Sequence, residues 1–186
     1  MNNIFITGEI GIGKSTTIMK ILDLLKNNNK IDLNIGGYNC SRNIRKEDDK
    51  IVKTFYLVSI TNSSTYKIIE NVIIDNESYV NIYSDSFDNF SFILDEDIQN
   101  CDLIILDEIG FAENNSPKYI QVLKKILDSD KVVLGVLKKH NSPLINNIKQ
   151  RDDNIIFTID KNNRDYLYKD IYNNLINLLN FDKINE

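Results

Sequence analysis

Several residue types that define other functional classes are scarce in this sequence of 186 residues. It contains one histidine, His140, and two cysteines, Cys40 and Cys101, which lie far apart and form no CxxC pair. A zinc site or a histidine-based catalytic triad therefore has almost nothing to be built from. No apolar run approaches the ~18 residues needed to cross a bilayer, and no secretion signal opens the chain. We expect a cytoplasmic protein with free thiols and no membrane contact.

Positive charge and proline are also in short supply. The chain has 22 basic and 27 acidic residues, which gives a net charge of −5. Because proteins that wrap nucleic acid usually carry net positive charge, nucleic acid is not an expected partner. Nothing in the sequence identifies a protein partner. With two prolines, no Gly/Ser-rich linker and no internal repeat, residues 1–186 are predicted to form a single domain.

Apolar strands and amphipathic helices alternate over most of the chain. The predicted strands are residues 3–7, 103–106, 131–137 and 155–159, and the predicted helices are residues 14–26, a segment capped by Ser116 and opened by Pro117, a short segment from Pro143, and residues 164–179. This alternation predicts an α/β fold with a mostly parallel sheet and helices on both faces. Residues 31–83 instead contain short β-like runs, which favour antiparallel hairpins. Residues 87–100 fit either a helix or a loop.

The pattern GxxxxGK[ST] occurs near the amino terminus as Gly8-Glu9-Ile10-Gly11-Ile12-Gly13-Lys14-Ser15, between a strand and a helix. The glycines allow a tight turn that brings N–H groups against phosphate oxygens, and the helix amino terminus adds further donors. Lys14 is the expected charge for the β- and γ-phosphates, Ser15 is the expected Mg²⁺ ligand, and Thr16 is a candidate for the α-phosphate. A nucleoside triphosphate is therefore the predicted substrate, bound by residues 8–16. The pattern leaves hydrolysis, phosphoryl transfer and switching open.

Two carboxylates, Asp107 and Glu108, follow the apolar strand 103–106. Ligands of doubly wound sheets bind at the carboxyl ends of the strands. We assign Asp107 to Mg²⁺ through its water shell, together with Ser15. Glu108 is expected to orient and activate the attacking water, which favours hydrolysis over binding alone.

Arginine is limited to positions 42, 45, 151 and 164. A triphosphate needs more positive charge than Lys14 and one Mg²⁺ provide, and arginine suits bidentate phosphate contacts. Arg151 and Arg164 are both placed to approach a nucleotide; we favour Arg164, which joins Lys14 and Glu108 as a catalytic candidate. A surface location is nevertheless the commoner role for any one arginine, and also for the segment Lys138-Lys139-His140. Tyr38 is either a base-stacking residue or, by default, part of the core.

These motifs resemble the nucleoside-triphosphatase family that includes thermophile and cancer-related members. The likeness lies in the phosphate loop and in four later segments: Gly37-Tyr38 followed by Arg42, Leu106-Asp107-Glu108-Ile109-Gly110, Ser142-Pro143-Leu144 through Arg151, and Asn163-Arg164. The resemblance implies a RecA-like P-loop fold with an extra antiparallel section. It also implies Mg²⁺-dependent hydrolysis of ATP, GTP, CTP and similar triphosphates to diphosphates with loose base preference. The nucleotide-binding stretches map onto Gly8 to Ser15 and Asp107 to Gly110.

Two other functions stay open. A nucleotide or small-molecule kinase uses the same loop, but it needs an acceptor pocket and usually an arginine-rich lid, and arginines are few here. A nucleotide-responsive binding protein with slow hydrolysis fits two departures from the family pattern: Phe111-Ala112-Glu113 stand where Lys-Met-Glu is usual, and Val136 stands where threonine is. The preferred base, the pathway and the oligomeric state are not indicated by the sequence.

Overall fold

The computed structural model describes residues 2–28 and 32–184. Its strands are β1 Asn3–Gly8, β2 Ile35–Glu47, β3 Lys50–Ser59, β4 Thr65–Ile74, β5 Glu77–Ile82, β6 Leu103–Ile109, β7 Val132–Lys138 and β8 Asn154–Ile159. Its helices are α1 Lys14–Asn27, α2 Ser84–Asn100, α3 Pro117–Asp128, α4 Pro143–Lys149 and α5 Leu167–Ile184, and a short 3-10 turn covers Ala112–Asn115. None of the helices in these ranges is long and apolar enough to cross a membrane.

The eight strands of the described residues belong to one sheet, in the order β5-β4-β3-β2-β6-β7-β1-β8. The five strands β2, β6, β7, β1 and β8 run parallel to one another, while β3, β4 and β5 extend the β2 edge as antiparallel hairpins. Strand β2 joins the two parts, because it pairs with β6 on one side and with β3 on the other. The predicted mostly parallel sheet with an antiparallel section is confirmed.

Helices cover both faces of the parallel strands. Strand β1 shows why: Ile4 and Ile6 pack against α1 and α5, whereas Phe5 points to the α2 and α3 side. All three side chains are fully buried. Strand side chains alternate between the two faces, so a continuous apolar run is the sequence expected of a strand covered on both sides.

Some elements differ from the sequence-based expectation. Residues 87–100, for which the sequence fits either a helix or a loop, belong to helix α2. Residues 51–59 form part of one strand, β3, instead of two runs, and residue 60 lies outside it. The antiparallel section was expected from about residue 31, which lies outside the described residues. Its first strand, β2, was expected in antiparallel hairpins only, but it also pairs in parallel with β6. Helix α5 begins at Leu167, three residues later than predicted, because the backbone after β8 first forms a turn in which the N–H groups of Asn162 and Asn163 donate to Oδ1 of Asp160.

The start of α3 is capped from another helix. Pro117 opens α3 as predicted, but Ser116 does not cap it with its side chain; its hydroxyl donates to the Ser84 carbonyl oxygen instead, at 3.2 Å. The carboxylate of Asp88 on α2 accepts the N–H groups of Lys118 and Tyr119 at 3.0 and 3.3 Å. An acidic side chain is favourable at a helix amino terminus, so this contact caps α3 and joins it to α2.

Gly37 allows β2 to approach β6 closely. Its φ is +91°, and a Cβ at this position would lie 1.9 Å from the carbonyl oxygen of Ile105. Its N–H donates to the buried carboxylate of Asp97 at 2.7 Å. Only glycine fits here, since the conformation is left-handed and the space is already filled by backbone.

Candidate active site

The phosphate loop and the acidic strand end lie at one edge of the sheet. Strand β7 lies between β1 and β6, and its last residue, Lys138, pairs in register with Gly8 at the end of β1. The preceding residue, Leu137, pairs with Ile109 at the end of β6. Because these strands are parallel, their carboxyl ends meet at the edge where α/β proteins bind ligands.

Lys14 is folded back onto the phosphate loop. Its side-chain nitrogen donates to the carbonyl oxygens of Gly8 and Glu9, at 3.0 and 2.8 Å, and the residue is 7% exposed. Burial lowers the pKa of Lys14, while the nearby carboxylates of Glu108 and Asp107 act in the opposite direction. The positive charge is therefore held inside the loop, next to the acidic strand end.

Ser15 and Asp107 are in direct contact. The hydroxyl of Ser15 donates to Oδ1 of Asp107 at 2.9 Å, and the N–H of Cys40 on β2 donates to Oδ2 at 3.3 Å. Asp107 is 2% exposed, and burial raises its pKa to about 6. A buried carboxylate gains from a neighbouring cation, because the opposite charge offsets the loss of hydration.

This pair has the chemistry of a hard-cation site. A hydroxyl and a carboxylate are the oxygen ligands that divalent cations such as Mg²⁺ prefer. The described residues contain no cluster of three or more His, Cys, Asp or Glu side chains suited to a metal. Mg²⁺ bound with a nucleotide takes most of its ligands from phosphate and water, so Ser15 and Asp107 fit that kind of site.

Glu108 occupies an unusual backbone conformation. Its φ is +73°, and the β6–β7 register shifts between Leu106 and Ile109, so a bulge interrupts the strand at the carboxylate pair. A left-handed conformation costs a residue other than glycine roughly 1–3 kcal/mol and is concentrated at functional sites. The turn directs Glu108 toward Lys138, whose side-chain nitrogen lies 3.5 Å from Oε2 of Glu108.

Sequence reasoning missed two charged residues of this site. A surface location was the commoner role expected for Lys138, but Lys138 ends β7, between the ends of β1 and β6, and is partly buried. The only sequence indication was its position after an apolar strand. Glu113 lies in the 3-10 turn after β6, is 2% exposed, and accepts the N–H of Gly110 at 3.1 Å. A single buried glutamate has no periodicity that would reveal it.

The remaining predicted binding residues differ in exposure. Gly8, Ile109 and Gly110 are buried and Ile12 and Gly13 are half-buried, whereas Glu9, Ile10, Gly11 and Thr16 are exposed, Ile10 almost completely at 96%. The carboxylate of Glu9 forms an ion pair with Lys139, which lowers the pKa of Glu9. The loop is therefore open to solvent at its tip and closed at its base.

The two arginine candidates lie near opposite ends of strand β8. Arg164 follows β8 at the edge of the phosphate loop; it is half exposed, with Nε 3.9 Å from Asp165. Arg151 precedes β8 at the other edge, where it binds Asp153 and Asp128, each at 2.6 Å. Arg151 is thus held in an ion-pair network away from the phosphate loop.

Tyr38 belongs to the core, which was its default assignment from the sequence, and not to a base-stacking surface. It is fully buried, and its hydroxyl lies 2.6 Å from the hydroxyl of Tyr119. The base-stacking alternative is wrong, because the ring is enclosed by Phe90 and Tyr119.

Fold and site together define a P-loop NTPase: a strand, a glycine-rich loop and a helix stand opposite an acidic strand end at one sheet edge. The NTPase family model matches residues 3–172, and the chain belongs to this family.

Individual relatives agree with this assignment. Nucleoside-triphosphatase THEP1 of Thermotoga sp. (strain RQ2) is 32% identical over 184 residues, covering 97% of each chain. The protein of the same name from Methanocaldococcus jannaschii is 28% identical and covers 93% of this chain and 96% of its own. The crystal structure of THEP1 from Aquifex aeolicus matches with a TM-score of 0.67 at 21% identity, over 91% of this chain and 96% of that one. The last likeness concerns the fold.

Proposed function

We propose that this protein hydrolyses nucleoside triphosphates to diphosphate and phosphate in a Mg²⁺-dependent reaction, accepting ATP, GTP and CTP with loose base preference. The observation that carries the proposal is the 2.9 Å hydrogen bond between Ser15 and Asp107, with Glu108 next in the chain. It brings a phosphate-binding loop and two carboxylates to one point. A cytoplasmic location stays a prediction from the sequence.

Ser15 and Asp107 would hold Mg²⁺. When bound, the metal neutralises charge on the β- and γ-phosphate oxygens and fixes their orientation. Asp107 is suited to this role because its carboxylate is buried and already held by Ser15 and by the N–H of Cys40. A bound cation would keep Asp107 ionised although burial raises its pKa to about 6.

Four side chains would act on the phosphates and the water. Lys14 would leave the carbonyl oxygens of the loop and bind the β- and γ-phosphates. Glu108 would accept a proton from the water as the water oxygen bonds to the γ-phosphorus and the bond from phosphorus to the bridging oxygen breaks. Lys138 would add a second positive charge beside Glu108. Arg164, at the same edge, is the candidate for a phosphate or base contact.

The test is phosphate release from ATP, GTP and CTP, measured with Mg²⁺ and again with EDTA. We expect release without any added acceptor, loss of release in EDTA, and a decrease of at least about 100-fold in Lys14→Ala. Lys26→Ala, which removes a lysine from the last turn of the same helix, is the matched control and should retain the rate.

Each alternative function predicts a different result. Phosphoryl transfer that appears only with an added acceptor would replace the proposal by a kinase. Tight nucleotide binding with negligible turnover would replace it by a nucleotide-responsive binding protein. An unchanged rate in Lys14→Ala would show that the loop does not act on the substrate.

A further inference from the structure

Glu113 is a buried charged residue with no role in the proposed reaction. It is 2% exposed and lies in the 3-10 turn that follows the acidic strand end. Burial raises its pKa to about 7. Burying a carboxyl group is unfavourable unless specific contacts compensate, so its contacts indicate what it does.

Glu113 is hydrogen-bonded to the backbone of residues 107–110, which follow the apolar part of β6 and are called the acidic turn below. Its Oε2 accepts the N–H of Gly110 at 3.1 Å. After the bulge, the ladder with β7 resumes at Ile109 and ends there, so the N–H of Gly110 lies beyond the ladder and needs another partner. A buried N–H without an acceptor is costly, and Glu113 supplies the acceptor for Gly110.

Gly110 is also held from the opposite direction. A Cβ added to Gly110 would lie 2.7 Å from Cδ of Lys138, so the lysine stem packs directly on this residue. The nitrogen of Lys138 then lies 3.5 Å from Oε2 of Glu108. Gly110 is thus fixed between Glu113 and Lys138, two residues after the left-handed Glu108.

We propose that Glu113 is a positioning residue: by binding the N–H of Gly110 it holds the turn 108–110 in the conformation that directs the Glu108 carboxylate toward Lys138 and the phosphate loop. The inference rests on the proposed role of Glu108 in hydrolysis. The proposed role of Glu113 requires an oxygen that accepts the Gly110 N–H, and the carboxyl group keeps such an oxygen whether it is ionised or protonated. The side-chain oxygen of glutamine can serve as this acceptor, whereas alanine has none.

The chain offers a matched control in Asp97. This carboxylate is also buried, at 3% exposure, and also accepts a glycine N–H, that of Gly37 at 2.7 Å. It belongs to the end of α2, beside Gly36, and its hydrogen-bond partners Gly37 and Cys101 lie outside residues 107–110. Asp97→Ala therefore measures what the loss of a buried carboxylate does by itself.

The first experiment measures kcat, KM and thermal melting. We expect Glu113→Ala to lower kcat at least about tenfold with KM changed less than about threefold, because substrate binding does not use Glu108. Glu113→Gln should retain most of kcat. Asp97→Ala should lower the melting temperature by about as much as Glu113→Ala does, but it should leave kcat unchanged. A loss of kcat in Asp97→Ala equal to that in Glu113→Ala would overturn the proposal.

A double mutant tests whether Glu113 acts through Glu108. In a Glu108→Gln background, Glu113→Ala should cause no further loss of kcat, since residues that act as a unit are not additive. A full additional loss would show that Glu113 acts by another route and would contradict the proposal.

Amide hydrogen exchange without nucleotide separates this inference from the proposed function. We expect the Gly110 amide to exchange at least about tenfold faster in Glu113→Ala than in the wild type, and to stay protected in Glu113→Gln. Unchanged protection in Glu113→Ala would show that Glu113 does not hold the turn. If the wild-type protein released no phosphate, the proposed function would fail, and the exchange result would still decide whether Glu113 anchors Gly110.

Discussion

The hydroxyl of Ser15 lies 2.9 Å from Oδ1 of Asp107, although the two residues are 92 positions apart in the chain. Parallel pairing of β6, β7 and β1 produces this contact, because it brings the ends of β1 and β6 to one edge on either side of β7. The phosphate loop and the acidic turn therefore form one site, in which a single nucleotide can contact both.

Replacing Asp107 should weaken the response to Mg²⁺. Asp107→Asn keeps an oxygen for the Ser15 hydroxyl but removes the negative charge, so we expect the Mg²⁺ concentration for half-maximal activity to rise at least about tenfold. Activity measured against Mg²⁺ concentration checks this. Asp102→Asn, an exposed position at the other end of the strand, is the control; an equal shift in both variants would argue against Asp107 as a ligand.

Replacing Glu108 should separate binding from turnover. Glu108→Gln removes the proton acceptor and keeps the size of the side chain, so kcat should fall by about 10²–10³ while nucleotide affinity changes little. Rapid-quench kinetics and calorimetric titration with the same nucleotide measure the two quantities. Weaker binding with an unchanged kcat would assign Glu108 to the substrate instead of the water.

The strongest local patterns were enough to predict the phosphate loop and four of the five parallel strands, β1, β6, β7 and β8, but not β2. Residues 4–6 of strand β1 are all apolar because helices cover both faces of the strand, and the glycine loop has a fixed spacing that short-range chemistry explains. The direction of the strands alone was enough to predict that Asp107 and Glu108 lie at the same end of the sheet as the phosphate loop. For these elements local sequence and tertiary packing favour the same structure.

Features that depend on distant contacts could not be predicted in the same way. The cap of α3 comes from Asp88 on another helix, and the requirement for glycine at position 37 comes from the close approach of the Ile105 backbone on β6. Lys138 lies beside Glu108 because β7 ends at Lys138, one residue later than predicted. The burial of Glu113 depends on the packing around the turn after β6. None of these contacts leaves a periodic pattern in the sequence.

Stability should fall as pH rises from about 4.5 to about 7. Burial raises the pKa of Glu113 from 4.5 to about 7 and that of Asp107 from 3.8 to about 6. Between the unfolded and folded pKa values the native state binds more protons, so raising the pH favours unfolding, and the effect levels off above pH 7. Urea unfolding at about pH 5 and pH 8, without metal or nucleotide, measures the difference.

Glu113→Gln provides the check on that pH dependence. Because its amide stays neutral, the variant should lose the part of the decrease that belongs to Glu113, on the order of 3 kcal/mol from the size of the shift. Parallel stability curves for the wild type and the variant would contradict the assignment to Glu113.

Gly37→Ala should destabilise the sheet severely. The methyl group would lie 1.9 Å from the Ile105 carbonyl oxygen at a φ of +91°, so we expect a loss above about 3 kcal/mol in the free energy of unfolding. Gly11→Ala is the comparison: φ is +74° but no atom lies within 4 Å of the added Cβ, so backbone strain alone should cost about 1 kcal/mol. Urea unfolding of both variants measures this. Equal losses would contradict the close approach of β2 and β6.

A crystal structure with Mg²⁺ and a non-hydrolysable triphosphate analogue tests the central claim most directly. The account predicts the phosphates against the main chain of residues 8–15, with the Lys14 nitrogen moved from the carbonyl oxygens of Gly8 and Glu9 to the phosphate oxygens. It also predicts the metal beside Ser15 and Asp107. An empty loop at saturating analogue, or a nucleotide bound elsewhere, would contradict it.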